Sequence, residues 1–357
     1  PLLILRFPLP AIMFALVLDA ADQTIFQALT DLDLTNYQSY DKALDVYYLA
    51  IAYISTFRNW LNPVAVLVGL FLWYYRLIGV TLFELTEWRP LLLIFPNTFE
   101  YYFIALSVVL LRWSDQRLTR KQVVGIAAGI WIFIKLPQEY WIHIAQLDVT
   151  DVVKNDLFGV DSADSWGTAF SNRPAVALAM FLALAVLVAV AEMLWRRTPP
   201  ADHDFTFDAD QVSRFDDRVP VPTTSRRPWL EGAGEKTVLI ALLAVIFGRA
   251  IPGSNATVFE VFVGVAILVV SNAAVSQWLR NRGQSWGSVA TAFFGNLAVN
   301  VGLFILVLIF LPSDDEESSG LAVAFFLFLL SLVIALFDRY RRTRVPLQWS
   351  EDVSAPA

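Results

Sequence analysis

Long apolar segments recur along the chain and are separated by polar connections. A helix that crosses a lipid bilayer needs about 20 consecutive, mostly apolar residues. By this criterion the sequence predicts ten transmembrane helices, at residues 8–28, 43–61, 63–84, 90–111, 121–143, 174–195, 237–252, 256–278, 287–311 and 320–337. We therefore predict an all-α fold, a polytopic transmembrane helix bundle with about ten crossings.

The charges of the connecting segments alternate in sign. Lys and Arg residues are concentrated in one set of connections, which includes residues 112–121, 196–197, 226–227, 280–282 and 339–344. The other set is acidic and includes residues 31–33, 148–164 and 314–317. Because basic connections are retained on the cytoplasmic side of a membrane, this alternation predicts that both termini are cytoplasmic.

One connection, residues 198–236, is rich in Pro, Asp, Arg and Thr and has no apolar periodicity. This composition is typical of a flexible linker, here on the cytoplasmic side. The pattern predicts an N-terminal six-helix membrane portion at residues 1–197 and a C-terminal four-helix portion at residues 237–345. A disordered cytoplasmic tail is predicted at residues 346–357.

The composition excludes several classes of site. Hydrophobic residues make up 57% of the chain and charged residues 17%, which favours a lipid environment. The net charge of −7 argues against nucleic acid as a partner. The absence of cysteine excludes thiolate chemistry, and two histidines are too few for a multi-histidine metal site. Arginine far outnumbers lysine, which suggests the plasma membrane of a prokaryote with a GC-rich genome.

Most of the membrane-embedded polar residues fall in the first five predicted spans. An ionised residue at the middle of a transmembrane helix costs about 2.5–3.5 kcal/mol on insertion scales, so these side chains should face each other or a wet cavity. With the predicted orientation most of them share the outer level of the membrane, with Arg76, Glu100 and Lys135 nearer its middle, and they are surrounded by aromatic residues such as Tyr48 and Tyr101. The set consists of Asp19, Asp22, Asp41, Asp45, Arg76, Glu84, Asn97, Glu100, Lys135, Glu139 and His143.

The four aspartates form two pairs at facing helix ends, Asp19-x2-Asp22 and Asp41-x3-Asp45. Carboxylate oxygens are the ligands that hard divalent cations prefer, so the pairs predict a site for Mg²⁺ or Mn²⁺. The spacing is similar to the aspartate motif of CDP-alcohol phosphotransferases. The surrounding positions depart from that motif, however, and we do not infer membership. The alternative is that these aspartates flank a short loop at the membrane surface.

Two helices contain helix-breaking residues beside polar ones. Pro96 precedes Asn97 and Glu100, and Pro137 follows Lys135. Proline kinks a helix and frees a backbone carbonyl, and such breaks often line cavities in membrane proteins.

Gly125 and the glycine four residues later form a GxxxG pattern, which predicts close helix packing.

Lys135, Glu139 and His143 are spaced four residues apart, which places them on one helix face. A carboxylate beside a histidine is suited to proton transfer. The alternative is a structural ion pair with a histidine at the membrane interface.

These patterns favour a membrane-embedded enzyme that acts from the outer face on a lipid or a lipid-linked phosphate or sugar, as a transferase would. The expected roles are metal binding by Asp19, Asp22, Asp41 and Asp45, catalysis by Glu100, Glu139 and His143, and substrate binding by Arg76, Glu84, Asn97 and Lys135. An ion- or proton-coupled transporter is the first alternative, with Arg76, Glu100 and Lys135 as coupling residues. A structural subunit of a membrane complex is the second alternative.

Overall fold

The computed structural model describes residues 1–29, 37–147, 149–213, 228–250, 289–310 and 318–341, together with Arg344 and nine residues between positions 263 and 274. Every regular element within these residues is helical, as the apolar pattern predicted. A short 3₁₀ helix at Leu2–Leu5 comes first. The α-helices that follow are α1 (Pro8–Leu29), α2 (Tyr37–Asn59), α3 (Pro63–Thr86), α4 (Pro90–Ile94), α5 (Thr98–Val109), α6 (Arg120–Gly129), α7 (Leu136–Glu139), α8 (Val149–Val152), α9 (Trp166–Asn172), α10 (Pro174–Arg196), α11 (Ala209–Ser213), α12 (Pro228–Ala250), α13 (Val289–Phe310) and α14 (Ser318–Tyr340).

Several of these helices have the dimensions of membrane spans. Among the described residues, four helices are long and apolar enough to cross a bilayer, at Pro63–Thr86, Pro90–Val109, Pro174–Met193 and Val323–Tyr340. Other helices occupy most of the remaining predicted positions, whereas the predicted span at 256–278 lies mostly outside the described residues. The total of ten crossings and the side of the termini stay predictions.

The sharp turn between α2 and α3 follows directly from the local sequence. The Asn62 side chain accepts hydrogen bonds from the backbone N–H groups of Val64 and Ala65, and Pro63 occupies the first turn. This combination satisfies free N–H groups at a helix start without requiring one from proline. The buried carboxylate of Asp115 accepts from the backbone N–H groups of Leu61 and Asn62 at 2.8 and 2.9 Å, which ties the turn to the connection after α5.

Helix α2 lies at the centre of the main apolar core. Its residues 49–54 are almost completely buried, and α1, α3, α12 and α14 all pack against it. Side chains of α12 and α14, such as Leu243 and Phe337, belong to the same cluster as those of α2, α3 and α5. Helices from the two predicted membrane portions thus share one core.

The first part of the predicted linker makes defined contacts. Asp208 pairs with Arg6 at 2.8 Å, Asp202 pairs with Arg117 at 2.6 Å, and Asp210 pairs with Arg58. The hydrogen bond and charge of Asp208 raise the pKa of Arg6. Residues 198–213 therefore lie along the predicted cytoplasmic ends of the first helices, where aspartates meet the basic residues of those ends.

The GxxxG prediction on α6 is wrong for the described part of the chain. A Cβ atom placed on Gly125 or Gly129 would have no neighbour within 4 Å. The close approach that a glycine permits occurs instead on α3. A Cβ atom on Gly79 would overlap Cβ of Phe95, so the absence of a side chain at Gly79 lets the α4–α5 region pack directly on α3.

Candidate functional site

The helix that was predicted at 90–111 is interrupted at Pro96. Helix α4 ends at Ile94 and α5 begins at Thr98, with Phe95 in a non-helical conformation (φ −111°, ψ 66°). Proline supplies no N–H and disfavours a helical conformation in the preceding residue. The interruption leaves the N–H of Asn97 without an intrahelical acceptor, and this N–H donates instead to Oε1 of Glu139 at 3.2 Å.

The neighbouring helix is also irregular. Helices α6 and α7 are joined by a π-helical stretch, Ile130–Lys135, and a second π-helical stretch, Tyr140–Ile144, follows α7. Pro137 lies in α7 between these stretches. Such widened turns accommodate a missing helical hydrogen bond and are frequent at functional sites. Two interrupted helices therefore meet at the level of Asn97 and Glu139.

Glu139 is the most strongly bound carboxylate of this site. Its Oε1 lies 3.2 Å from Nζ of Lys135, and its Oε2 lies 3.0 Å from Nε2 of His143. The side chains of Glu139 and Lys135 are each 5% exposed, whereas that of His143 is 23% exposed. The ammonium of Lys135 also binds Oε1 of Gln138 at 2.9 Å and lies 4.7 Å from the Tyr101 ring centre. The predicted stripe on one helix face is thus a compact ion-pair cluster.

Glu100 is held in a different way. The phenol of Tyr48 donates to its Oε1 at 2.6 Å, and the side-chain amide of Asn97 donates to its Oε2 at 2.9 Å. Both direct donors are neutral, although the residue is buried. Asn97 therefore connects the two carboxylates, with its backbone N–H on Glu139 and its amide on Glu100. We refer to Tyr48, Asn97, Glu100, Lys135, Glu139 and His143 as the outer network.

Arg76 supports the break rather than pairing directly with a carboxylate. Its Nη1 donates to the backbone oxygen of Phe95 at 3.1 Å, the carbonyl next to the interruption. Its charge also acts on both Glu100 and Glu139. The guanidinium thus stabilises a peptide oxygen released by the break and adds positive charge beside the two acids.

Glu84 lies outside this network, at the end of α3. Its carboxylate is 3.9 Å from Nζ of Lys42, and its backbone oxygen accepts from Nε of Arg249 at 3.0 Å. A cation at a helix C-terminus interacts favourably with the helix dipole. Arg249 comes from α12, so the C-terminal portion contributes a charged residue to the edge of the site.

The predicted metal site is described only in part. Asp45 lies close enough to Glu100 for the two carboxylates to influence each other electrostatically. Asp19 and Asp22 are one turn apart on α1, and Asp41 is on α2, but the side chains of these three aspartates lie outside the described residues. In the part of the chain that the structure describes, no group of three or more acidic or histidine side chains is arranged to hold a metal ion.

Two oxygen atoms at the break have unused hydrogen-bonding capacity. Asn97 Oδ1 and Thr98 Oγ1 are buried, and neither has a hydrogen-bond partner among the described residues. Buried polar atoms without a partner are uncommon and are energetically unfavourable. Their position, at the start of α5 and beside Glu100, gives the site two acceptors for a bound cation, water molecule or hydrogen-bond donor.

Sequence reasoning missed several participants of the site. Tyr48 was predicted only as part of the aromatic surround, and Lys42, Gln138 and Arg249 were not among the predicted site residues. In the sequence, the one feature that could have pointed to Gln138 was its position between Lys135 and His143. For Arg249 it was the presence of a charged residue in an apolar segment.

Comparison of the chain with protein-family models, with curated proteins and with solved structures finds no match.

Proposed function

We propose that the chain is a multi-pass plasma membrane protein of a prokaryote that couples the movement of a solute across the membrane to the movement of a proton. In this proposal ten helices cross the bilayer, both termini are cytoplasmic, and the outer network is the coupling site. The observation that carries the proposal is the bridge by Asn97, which links two buried carboxylates of different surroundings at a break in a membrane helix.

The different surroundings give the two acids, Glu139 and Glu100, different roles. Glu139 is paired with an ammonium and an imidazole, so it serves as a fixed anion that orients the start of α5. Among the described residues, Glu100 accepts hydrogen bonds from a phenol and an amide and from no cationic group, so it is the acid suited to take up and release a proton. When Glu100 is protonated, the Tyr48 hydroxyl can rotate and accept the new O–H.

Protonation of Glu100 is coupled to the break through Asn97. A neutral Glu100 binds the Asn97 amide less strongly, because a hydrogen bond to an ionised acceptor is about twice as strong as one to a neutral acceptor. Asn97 is then freer to move, together with the segment between α4 and α5. Interrupted membrane helices of this kind commonly line the binding sites of secondary transporters and move during transport.

The solute class follows from the unpartnered acceptors. Asn97 Oδ1 and Thr98 Oγ1 offer two oxygens, and the nearby Glu100 offers a carboxylate. This combination suits a small cation or an amine- or hydroxyl-bearing solute. Arg76 and Lys135 are both occupied by contacts with the protein, which argues against a large anionic head group as the solute.

A cysteine-accessibility experiment tests the proposal, because the chain contains no cysteine. Single cysteines at Thr98 and Leu136 would be labelled with a membrane-impermeant thiol reagent in right-side-out and in inside-out membrane vesicles. Ala163→Cys and Ala201→Cys, at exposed positions on the predicted outer and inner sides, are the matched controls. We expect the Thr98 and Leu136 positions to react from both sides, and each control from one side only.

Other outcomes would replace the proposal. Reaction of the Thr98 and Leu136 positions from the outside alone would favour an enzyme with an outward-facing site. Lack of reaction from either side would indicate a closed structural cluster, as expected for a subunit of a larger membrane complex.

A metal-dependent enzyme is the second candidate, acting on a lipid or a lipid-linked phosphate or sugar. Its specific support is the proximity of Asp45 to Glu100, together with the positions of Asp19, Asp22 and Asp41 on the two adjacent helices α1 and α2. Mg²⁺ or Mn²⁺ would be its cofactor. Titration of the purified protein with Mn²⁺, followed by electron paramagnetic resonance, would show a bound ion that Asp45→Asn weakens.

A further inference from the structure

A second charged cluster lies toward the predicted cytoplasmic ends of α2, α12 and α14. Glu235, on α12, accepts a 2.5 Å hydrogen bond from the phenol of Tyr53, on α2. Nη1 of Arg344, just beyond α14, lies 2.9 Å from both carboxylate oxygens of Glu235, and Nε of Arg341 lies 3.6 Å away. We refer to Tyr53, Glu235, Arg341 and Arg344 as the inner network.

The inner network is enclosed by protein. The side chain of Arg344 is 8% exposed and that of Glu235 is 15% exposed. The guanidinium of Arg344 lies 5.1 Å from the centre of the Phe57 ring, and the phenol of Tyr74 lies 3.4 Å from the backbone oxygen of Glu235. Four helices, α2, α3, α12 and α14, therefore converge on one buried ion pair. Removing one member of such a pair leaves the other charge uncompensated.

An aromatic cluster separates the two networks. The rings of Tyr53 and Trp73 stack at 5.7 Å, Trp73 and Phe99 lie 5.6 Å apart, and all three side chains are fully buried. Phe99 precedes Glu100, a member of the outer network, and Tyr53 belongs to the inner one. On α2, Tyr48 and Tyr53 are separated by about 7.5 Å along the helix axis, at 1.5 Å per residue. Trp73 and Phe99 thus occupy the interval between Tyr53, in the inner network, and Glu100, in the outer one.

The indole of Trp73 has a free donor in this interval. Its Nε1–H is buried and has no hydrogen-bond partner in the part of the chain that the structure describes. A buried tryptophan N–H usually finds an acceptor. This buried N–H, which lies between the two networks, is therefore available to an acceptor such as a water or a solute atom.

We propose that the inner network is the cytoplasmic gate of the pathway, and that Trp73 Nε1–H binds the solute or an accompanying water as it passes between the two networks. The inference rests on the proposed transport function. In the state described here the gate is closed: Glu235 holds Tyr53, Arg341 and Arg344 together. In the inward-open state Arg344 separates from Glu235, α12 and α14 move away from α2, and Tyr53 loses its acceptor. No bond other than hydrogen bonds and ion pairs changes.

The test measures how fast a cysteine at position 98 is labelled from the inside and from the outside. In the Thr98→Cys background, Glu235→Gln removes the charge that closes the gate while keeping the size of the side chain. We expect inside labelling to accelerate by roughly tenfold, the factor that corresponds to about 1.4 kcal/mol, and outside labelling to slow. Tyr53→Phe, which removes only the hydrogen bond and retains the ring, should act in the same direction with a smaller change.

Asp338→Asn is the matched control. Asp338 pairs with Lys236 at 3.0 Å, so this ion pair also joins α14 to α12, one residue away from Glu235, whereas the acceptor of the Tyr53 hydroxyl is Glu235. This variant should label like the parent protein. Trp73→Phe should reduce labelling from the inside even when combined with Glu235→Gln, because the passage loses its donor.

The outcomes separate the gate from the transport function. If the parent Thr98→Cys protein reacts from both sides while Glu235→Gln and Tyr53→Phe change neither rate, the gate is wrong and transport stands. If the parent protein reacts from the outside alone or from neither side, the transport function itself fails. Should Glu235→Gln fail to fold, as judged by size-exclusion chromatography, Tyr53→Phe alone decides, because it leaves the ion pair intact.

Discussion

The outer network and the contacts between the last helices use buried polar side chains of different kinds. On α5 and α7 the buried groups are charged, with Glu139 between Lys135 and His143, and Glu100 one helix away. In the C-terminal portion, beside the charged inner network, a set of buried groups that link the last helices is neutral. Asn272 donates to Asn300 at 2.6 Å, and Asn300 donates to Ser331 on α14 at 2.7 Å.

The difference indicates that buried polar side chains serve two purposes in a membrane protein. A series of neutral hydrogen bonds between helices, which we call the neutral chain, contributes about 0.6–2 kcal/mol to helix association. Its presence in a membrane protein is explained by helix association alone. Buried charges are far more costly to insert, and they are typically found where ions or solutes pass. We therefore assign function to the charged network and helix association to the neutral chain.

The largest expected effect comes from neutralising the centre of the charged network. Glu139→Gln leaves the ammonium of Lys135 buried without its carboxylate, so we expect a loss of about 3–5 kcal/mol in the free energy of unfolding. Denaturant unfolding in detergent micelles would measure it. Combining Glu139→Gln with Lys135→Met should recover part of the loss, because no charge is then left unpaired. A loss below about 1 kcal/mol in the single variant would show that the pair does not hold the two interrupted helices together.

An intermediate effect is expected at the contact that supports the break. Gly79→Ala places a Cβ atom where Phe95 lies, so it should destabilise the protein by about 1–3 kcal/mol through overpacking. Gly125→Ala is the matched control on a neighbouring helix, since nothing lies within 4 Å of its Cβ position. That control should be neutral or stabilising by about 0.5–1 kcal/mol. Equal melting temperatures for the two variants would contradict the close packing of α3 on the break.

The smallest effect is expected in the neutral chain. Asn300→Ala removes both hydrogen bonds of the central amide, and we expect a loss of about 0.6–2 kcal/mol. Labelling of Thr98→Cys from either side should stay at the parent rate. A change in that labelling rate as large as the change produced by Glu235→Gln would remove the distinction between the charged networks and the neutral contacts.

Local patterns predicted much of the fold. Continuous apolar segments predicted the helices, and the four-residue spacing of Lys135, Glu139 and His143 predicted that they share a face, as the distances between them now show. The break at Pro96 also followed from a local rule about proline. These features depend on residues that are close in sequence, where geometry is limited to a few conformations.

Contacts between distant segments could not be predicted in the same way. Glu235 lies at the end of the predicted linker and Arg249 in an apolar segment, yet they reach Tyr53 and the end of α3. A single charge on an apolar helix indicates that a partner exists, but its identity depends on how helices pack across more than a hundred residues. The pairing of Asp208 with Arg6 was hidden for the same reason, because the polar composition around Asp208 resembles that of a flexible linker.

The central claim is that Glu100 carries the proton while Glu139 remains an anion. Infrared difference spectroscopy of the protein in lipid, between neutral and acidic pH, detects the carboxylic acid C=O band of an acid that becomes protonated. Because the chain has 33 Asp and Glu residues, the band of a single acid is obtained by subtracting the spectrum of a variant from that of the parent protein. We expect a component of the band to be lost in Glu100→Gln and retained in Glu139→Gln. Retention of the full band in Glu100→Gln, with loss of a component in Glu139→Gln, would contradict the claim.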